Sequence, residues 1–272
     1  MNENQRKELI RQTFNTVAPG YDRAALRFFP ESAAHLVSRL QLAGDEHVLD
    51  VATGTGAVAM NLAHCLPRGR VTGIDMSDGM LRQAAGKAEG RGLGNVAFQV
   101  MDMTDLSFPP EHFHCATAAF ALFFVEDMAA CLRGIVERLK PGGQVLVSGF
   151  AEGSFSPNVD LFLARIQSYG VEPPPLSWKR LSNEALNHAL LAAAGLKDIQ
   201  VTRRDLSYPL ADAEGWWEVL WHAGFRSLLG QLSATDLERF RTEHLAEITA
   251  LDQGGGVPLR IEVLYAHGRK PG

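Results

Sequence analysis

The stretch VLDVATGTGAVA (residues 48–59) joins an apolar run containing Asp50 to a turn with two glycines, Gly54 and Gly56. An apolar run that meets a glycine turn and then a second apolar segment is typical of a strand that passes into a helix. Glycine lets the backbone approach a ligand closely, and the first N–H groups of the following helix are free to donate. The stretch therefore predicts a strand–turn–helix unit that binds a ligand at the turn.

The same alternation of short apolar runs and helical patterns continues along the first half of the chain, as in stacked βαβ units. The strands predicted there are residues 47–52, 70–75, 96–101, 114–120 and 144–150. The helices predicted between them are residues 56–66, 78–89 and 127–139. Nearly continuous apolar runs of this kind indicate parallel strands that are covered on both faces.

The pattern changes after residue 150. The elements predicted there are helices at 157–170 and 182–194, a strand at 197–208, a helical insertion at 211–252 and a strand at 258–269. In the last run Ile261, Val263 and Tyr265 occupy alternate positions, which favours an antiparallel edge strand. We predict an α/β fold: a doubly wound, seven-stranded, mostly parallel sheet with a terminal antiparallel strand, and helical lid insertions.

Composition and charge exclude several classes of function. The net charge is −5 and no Lys/Arg run is present, so no nucleic-acid partner is expected. No run approaches the roughly 18 apolar residues of a membrane span. The N-terminus lacks the apolar core of a signal peptide, and Cys65, Cys115 and Cys131 have no metal-ligand spacing. We expect reduced, buried thiols, no metal and a cytoplasmic location; the oligomeric state stays open.

Three carboxylates, of Asp50, Asp75 and Asp102, lie at the carboxyl ends of the first three predicted strands, at the sheet edge where open α/β sheets bind ligands. Asp75 is placed to accept both hydroxyls of a ribose, and Asp102 to accept an exocyclic adenine N–H while Met101 or Met103 packs on the ring. Asp50, beside the helix N-terminus, would repel a pyrophosphate but suits a cationic amino group. The ligand expected from these residues is a nucleoside that carries an amino group.

These motifs resemble those of the class I S-adenosylmethionine-dependent methyltransferases, which have a Rossmann-like fold. The resemblance is carried by residues 50–56 (DVATGTG), 75, 102, 139–143 (LKPGG) and 14–22 (FNTVAPGYD). Within the class the chain is most similar to the ubiquinone/menaquinone-biosynthesis C-methyltransferase group. Ala52 stands where many members of the class have glycine.

The resemblance implies S-adenosyl-L-methionine as cofactor and a division of the chain into three parts. N-terminal helices in residues 1–44 would cover the cleft, and residues 45–150 would form the cofactor-binding α/β core. Residues 151–272, with the insertion at 211–252 and the last two strands, would form the substrate side of the same domain. The implied cofactor-binding residues are Tyr21, Asp50, Ala52, Thr53, Gly54, Gly56, Asp75, Met76, Met101, Asp102, Met103, Ala119 and Phe120.

The segment after the fourth strand departs from the quinone group, which has an Arg-Asn pair where this chain has Phe123 and Phe124. An aromatic wall at that position predicts a small, largely apolar or aromatic methyl acceptor. In the helical insertion, Trp217 and Trp221 form a stripe at i, i+4 that is expected to face the acceptor. The methyl group would move by in-line displacement, since its sulfonium is already activated.

Candidates for the catalytic residues are His222 and Tyr21, with Glu152 and Tyr208 as further possible general bases. His112 and His114 are interpreted as surface residues. Two other functions stay open at this point. The loose glycine fingerprint also permits an NAD(P)-dependent oxidoreductase, and the acceptor half carries no residue that excludes a non-catalytic S-adenosylmethionine-binding module.

Overall fold

The computed structural model describes residues 2–272 and contains a central sheet of seven strands. The strands of this sheet are β1 (His47–Val51), β2 (Arg70–Asp75), β3 (Val96–Val100), β4 (Phe113–Ala119), β5 (Leu139–Phe150), β6 (Lys197–Asp205) and β9 (Glu262–Arg269). Their order across the sheet is β3-β2-β1-β4-β5-β9-β6. The predicted α/β class, with a mostly parallel sheet and a terminal antiparallel strand, is confirmed.

The position of the last strand differs from the prediction. β9 is not an edge strand: it lies between β5 and β6 and pairs antiparallel with both. β6 therefore runs parallel to the first five strands, and β9 is the strand that runs in the reverse direction. Burial on both faces explains why Leu264 and Ala266 are as completely buried as Val263 and Tyr265, despite the alternation that suggested an edge.

A second, two-stranded sheet divides two of the predicted strands. β7 (Tyr208–Leu210) pairs antiparallel with β8 (Val257–Leu259), and Pro209 lies opposite Pro258 in this ribbon. Proline has no N–H to donate to a neighbouring strand, so a ladder with proline at its centre stays short. The predicted strand 197–208 therefore corresponds to two strands, β6 and the start of β7. The predicted strand 258–269 likewise corresponds to β8 and β9.

Helices cover both faces of the main sheet and its carboxyl edge. They are α1 (Glu3–Val17), α2 (Phe28–Ser38), α3 (Ala57–Cys65), α4 (Asp78–Gly90), α5 (Met128–Glu137), α6 (Asn158–Ser168), α7 (Glu184–Ala193), α8 (Ala213–His222), α9 (Arg226–Leu229) and α10 (Ala234–Thr249). The predicted insertion is thus three helices. No helix within residues 2–272 has the length and hydropathy needed to cross a membrane.

The thiols differ in part from the expectation. Cys115 and Cys131 are buried and free, and burial raises the pKa of each to about 12. Cys65, the last residue of α3, is exposed rather than buried. The buried residues of α3 are Val58, Ala59, Met60, Leu62 and Ala63, so the buried part of the helix ends before Cys65.

Candidate active site

A cavity lies at the carboxyl ends of β1, β2, β3 and β4, under helix α1; we call it the polar cavity after the carboxylates of Asp50, Asp75 and Asp102 in its wall. Twelve of the thirteen residues implied as cofactor-binding line it: Tyr21, Asp50, Ala52, Thr53, Gly54, Asp75, Met76, Met101, Asp102, Met103, Ala119 and Phe120. Gly56 does not line it. Gly56 is instead the N-cap of α3 in a left-handed conformation (φ 83°), where a Cβ would lie 3.0 Å from Met60 Cε.

The turn after β1 is shaped by left-handed backbone. Ala52 has φ 52° although it carries a side chain, and Gly54 has φ 56°. A Cβ at Gly54 would meet nothing within 4 Å, so the backbone of this residue borders open space in the cavity. The turn is closed by hydrogen bonds from Thr53 N to the Ile74 carbonyl and from Gly56 N to the Thr53 carbonyl, both 2.9 Å.

The Asp75 carboxylate is fixed by backbone donors on both sides. Gly54 N donates to Oδ2 at 2.9 Å, and Ser77 N donates to Oδ1 at 2.8 Å. Burial raises the pKa of Asp75, and these amide hydrogen bonds act in the opposite direction. Each carboxylate oxygen can accept more than one hydrogen bond, so this group can still accept from ligand hydroxyls.

Asp50 lies 1% exposed at the end of β1. Its two oxygens accept from threonine hydroxyls, Oδ2 from Thr53 at 2.6 Å and Oδ1 from Thr117 at 2.7 Å. Burial raises the pKa of Asp50 to about 6, although both hydroxyls favour the ionised form. Asp50 therefore braces the turn and also brings negative charge to the wall of the cavity.

Asp102 has a partner that the sequence patterns did not reveal. Lys7 of α1 places its Nζ 2.8 Å from Asp102 Oδ2 and 2.7 Å from Thr104 Oγ1. Thr104 in turn donates its N–H and hydroxyl to Asp102 Oδ1. Burial of Asp102 opposes ionisation, but the hydrogen bond and charge of Lys7 prevail, so the pKa of Asp102 is lowered.

Helix α1 is held over the polar cavity at both of its ends. Besides Lys7, Asn15 accepts from Ser77 Oγ at 2.6 Å and from Gly79 N at 2.9 Å, which ties the end of α1 to the start of α4. Four residues of α1 line the cavity: Arg6, Lys7, Ile10 and Phe14. Of these, only Phe14 lay in a stretch that the sequence marked, and the other three carry no motif.

The segment APGYD adds a second connection to the turn. Asp22 accepts from Thr55 Oγ1 at 2.8 Å and from Lys87 Nζ at 2.7 Å, so it links the glycine turn to α4. The neighbouring Tyr21 stacks on Phe29, with ring centroids 4.9 Å apart. Burial, together with the negative charges of Asp75 and Asp22, raises the pKa of Tyr21. Its hydroxyl therefore stays protonated at neutral pH.

A second cavity, of about 410 Å³, adjoins the first; we call it the aromatic cavity. Its aromatic lining residues are Phe14, Tyr21, Phe28, Phe29, Phe120, Phe123, Phe124, Phe150, Phe155, Trp178 and Phe225. The proline-rich segment that was predicted to be non-helical also contributes, through Pro174 and Pro175. The residues common to both cavities are Arg6, Ile10, Phe14, Tyr21, Phe29, Phe120 and Phe124, and these seven form the junction.

The tryptophan stripe of the insertion lies elsewhere. Trp217 and Trp221 stack on each other and are covered by Arg241 and Arg226, and neither lines either cavity. The inward residue of α8 is Trp216, fully buried, whose indole N–H donates to His244 Nε2 at 2.9 Å. Adjacent residues of a helix, such as Trp216 and Trp217, point in directions about 100° apart. Periodicity alone could not decide which of the two stripes faces the core.

Most of the candidate bases also lie outside both cavities. His222 packs on the backbone of Gly20, where a Cβ would lie 2.0 Å from its Nδ1. Glu152 is exposed, and Tyr208 is buried with its hydroxyl bonded to the Ala25 carbonyl at 2.8 Å. Phe123 and Phe124 do line the aromatic cavity, and Tyr21 lines both cavities.

The histidines of the EHFH turn are half-buried rather than on the surface. His114 Nδ1 accepts from His47 N at 2.9 Å, and the rings of His112 and His47 are 4.8 Å apart. These residues lie at the amino ends of β1 and β4, away from the polar cavity. Within residues 2–272, no group of three or more His, Cys, Asp or Glu side chains is arranged to hold a metal ion.

The polar cavity fits a nucleoside with a cationic group. Asp50 is buried and Asp75 half-buried, and both carboxylates have raised pKa values, so a cation or hydroxyl donors would stabilise their ionised forms, whereas a pyrophosphate would be repelled. The open space beside Gly54 lets a ligand lie against the backbone. Asp75 would hold a ribose, Asp102 an adenine amine between Met101 and Met103, and Asp50 would face the amino-acid part.

Comparisons with known proteins agree with this geometry. A family model described as a methyltransferase domain matches residues 48–143. The ubiquinone/menaquinone biosynthesis C-methyltransferase UbiE of Pseudomonas putida strain F1 is 31% identical over 198 residues, which cover 70% of this chain and 75% of that protein.

Similar solved structures show the same fold. The YcgJ protein of Bacillus subtilis superposes with a TM-score of 0.61 at 20% identity, over 89% of this chain and 99% of that chain. Phosphoethanolamine N-methyltransferase 2 of Haemonchus contortus, solved with phosphomonomethylethanolamine and S-adenosylhomocysteine, has a TM-score of 0.56 at 17% identity, over 89% of this chain and 53% of that chain. None of these similarities favours an NAD(P)-dependent oxidoreductase, the alternative that the glycine fingerprint permits.

Proposed function

The chain belongs to the class I S-adenosylmethionine-dependent methyltransferases, and on that premise we propose that its methyl acceptor is a small, largely apolar or aromatic molecule. S-Adenosylmethionine is the cofactor of the enzyme. The acceptor would occupy the aromatic cavity and meet the cofactor at the junction of the two cavities. The quinone-pathway activity in the name of the Pseudomonas putida relative belongs to that protein.

One observation carries this proposal: the cavity that adjoins the cofactor side is walled by aromatic rings. Phe120 and Phe150 have ring centroids 4.5 Å apart, and Phe155 and Trp178 are 5.5 Å apart on the same wall. Pockets that enclose small molecules are mostly apolar with few polar groups, as this one is. A wall of packed rings favours apolar or aromatic bodies over strongly hydrated ones.

For methyl transfer the protein has mainly to align the acceptor with the methyl group and to exclude water. The bound cofactor supplies an activated methyl group on a sulfonium. The rings of the junction, among them Phe14, Phe29, Phe120 and Phe124, keep water away from the reacting atoms and limit the directions from which an acceptor can approach. Tyr21, with its protonated hydroxyl, would orient the cofactor or the acceptor rather than remove a proton.

A direct test begins with calorimetric titration of S-adenosylhomocysteine and of NAD, where binding of the first alone is expected. The protein is then incubated with methyl-labelled cofactor and a panel of small apolar and aromatic molecules and, in a separate sample, with labelled cofactor and a cell extract that supplies proteins, nucleic acids and polar metabolites. We expect label to appear on one or more molecules of the panel. Label that reaches only a protein, a nucleic acid or a strongly polar metabolite would contradict the proposed acceptor class.

A cavity-filling variant links the activity to the aromatic cavity. Ser227 lines only this cavity, so Ser227→Phe should lower methyl transfer at least tenfold while S-adenosylhomocysteine binds as before. Gln231 lies four residues further, is exposed and lines neither cavity, so Gln231→Phe is the matched control. Equal activity of the Ser227→Phe variant and the control would show that the acceptor binds elsewhere.

A further inference from the structure

The aromatic cavity contains positive charge and no negative charge. Its ionisable lining residues within the described chain are Arg6, Tyr21 and Arg180, and no Asp, Glu or His side chain lines it. An arginine beside aromatic rings has lost part of its hydration, and an anionic partner compensates for that loss better than a neutral one. The charge of this wall therefore favours an acceptor with a negative group.

Arg180 is already occupied by the protein. Its Nη1 donates to the carbonyl of Phe123 at 3.1 Å and also to that of Val125, and its Nη2 donates to the carbonyl of Glu126 at 2.7 Å. These three carbonyls belong to the segment that follows β4, so Arg180 holds this segment in place. Its role is structural.

Arg6 is in a different situation. Its Nε is buried and has no acceptor within residues 2–272. The nearest carboxylate is Glu126, 3.6 Å from Nη2, which is too far for a hydrogen bond, and the Glu126 side chain is 72% exposed. A solvent-exposed pair at this distance contributes little. Arg6 therefore keeps donors for a ligand, and it lines both cavities at their junction.

Building on the proposed function, we propose that the acceptor is an apolar or aromatic carboxylic acid and that Arg6 binds its carboxylate at the junction. The planar guanidinium presents parallel N–H groups that match the two oxygens of a carboxylate. Helix α1 thereby has two roles, since Lys7 pairs with Asp102 on the cofactor side while Arg6 selects the acceptor. Arg6 is a specificity residue by this proposal.

Two other anions fit less well. A carboxylic acid is ionised at neutral pH without help, whereas a phenol keeps its proton unless a base removes it. Among the described residues, the other proton-exchanging side chain on this wall is that of Tyr21, whose pKa is itself raised. A phosphate brings nearly two charges into a wall of rings that offers one available guanidinium. The carboxylate is the anion that these residues match.

The test compares three probes with the same aromatic body: 2-naphthoate, 2-naphthamide and 2-naphthol. Each is titrated calorimetrically at neutral pH into the protein saturated with S-adenosylhomocysteine. We expect naphthoate to bind at least tenfold more tightly than the amide and the phenol. In Arg6→Met, which keeps the apolar stem, naphthoate should bind no better than the amide. Arg11→Met is the matched control, because Arg11 is a cation on the same helix that lines neither cavity.

The outcomes separate this inference from the function on which it rests. Equal binding of naphthoate and naphthamide would overturn it, as would failure of naphthoate to bind, a preference for naphthol, or a naphthoate preference that survives in Arg6→Met. In each of these cases the methyltransferase function with an apolar acceptor would still stand. That function depends on S-adenosylhomocysteine binding and on label transfer, which are measured without these probes.

Discussion

The two cavities of this enzyme are built in different ways. The strand-end side of the polar cavity comes from one continuous part of the chain, between Asp50 and Val125, and hydrogen bonds to backbone and hydroxyl groups fix its carboxylates. The aromatic cavity is assembled from segments as distant as Leu9 and Leu228, and ring packing holds it together.

This difference separates what the fold requires from what the acceptor requires. A parallel sheet brings the ends of successive strands to one edge, so the polar cavity follows from the fold. The wall around an acceptor has no such constraint and can change in shape and charge while the sheet stays the same. Four variants test this difference between the two cavities.

The largest effect is expected from Phe28→Ala on the aromatic side. Phe28 is completely buried, and its ring lies 4.3 Å from that of Phe29 and 5.9 Å from those of Phe150 and Phe155. Loss of the ring should lower the free energy of unfolding by about 3–5 kcal/mol, measured by urea denaturation. Val100→Ala, at an exposed position, should change it by less than about 0.5 kcal/mol. Similar values for the two variants would mean that ring packing does not hold this cavity together.

A pH effect is expected from Asp50 on the polar side. Its pKa is raised from 3.8 to about 6, so the stability that its protonated form provides is present below pH 4 and is lost as the pH rises through 6. Asp50→Asn should remove this loss, so that the variant gains on the order of 2–3 kcal/mol over the wild type between pH 4 and pH 8. Urea denaturation of both proteins at the two pH values measures the difference, and parallel pH profiles would contradict the assignment.

Asp75→Ala should weaken cofactor binding more than it lowers the stability of the fold. The change removes the acceptor of Gly54 N and Ser77 N and the proposed acceptor of the ribose hydroxyls. Affinity for S-adenosylhomocysteine should fall by about 2 kcal/mol, roughly thirtyfold, in calorimetric titration. Asp105→Ala, close by but lining neither cavity, should bind as the wild type does. Unchanged affinity in Asp75→Ala would remove the ribose assignment.

The smallest effect is expected at Ala52. Its left-handed φ of 52° is costly for a residue with a side chain, and Ala52→Gly relieves that cost but makes the unfolded chain more flexible. The two contributions largely cancel, so thermal unfolding should show a gain of no more than about 1 kcal/mol. Gly56→Ala should instead destabilise the fold, because its Cβ would meet Met60 and Ala84. A clear loss of stability in Ala52→Gly would mean that the alanine methyl group itself is packed.

Twelve of the thirteen residues that the sequence marked for the cofactor line the polar cavity, because their signals are local. Asp50 and Asp75 lie at the ends of predicted strands and Asp102 directly follows one, and the sheet brings all three to one cavity. The prediction was weaker for the last strand, since alternation cannot distinguish an edge strand from one placed between two antiparallel neighbours. The stripe with Trp217 and Trp221 lines neither cavity, and Trp216 is the tryptophan of α8 that is completely buried.

The amino-acid sequence by itself determined the order of strands and helices, the glycine turn and the three carboxylates, because these depend on residues close together in the chain. Only the tertiary structure decided which rings enclose the aromatic cavity, that Lys7 pairs with Asp102, and that Arg6 stands at the junction. Such contacts join residues about one hundred positions apart or more, and no local periodicity records them. They form when burial of apolar surface draws separate segments together, and that free energy depends on the whole packed molecule.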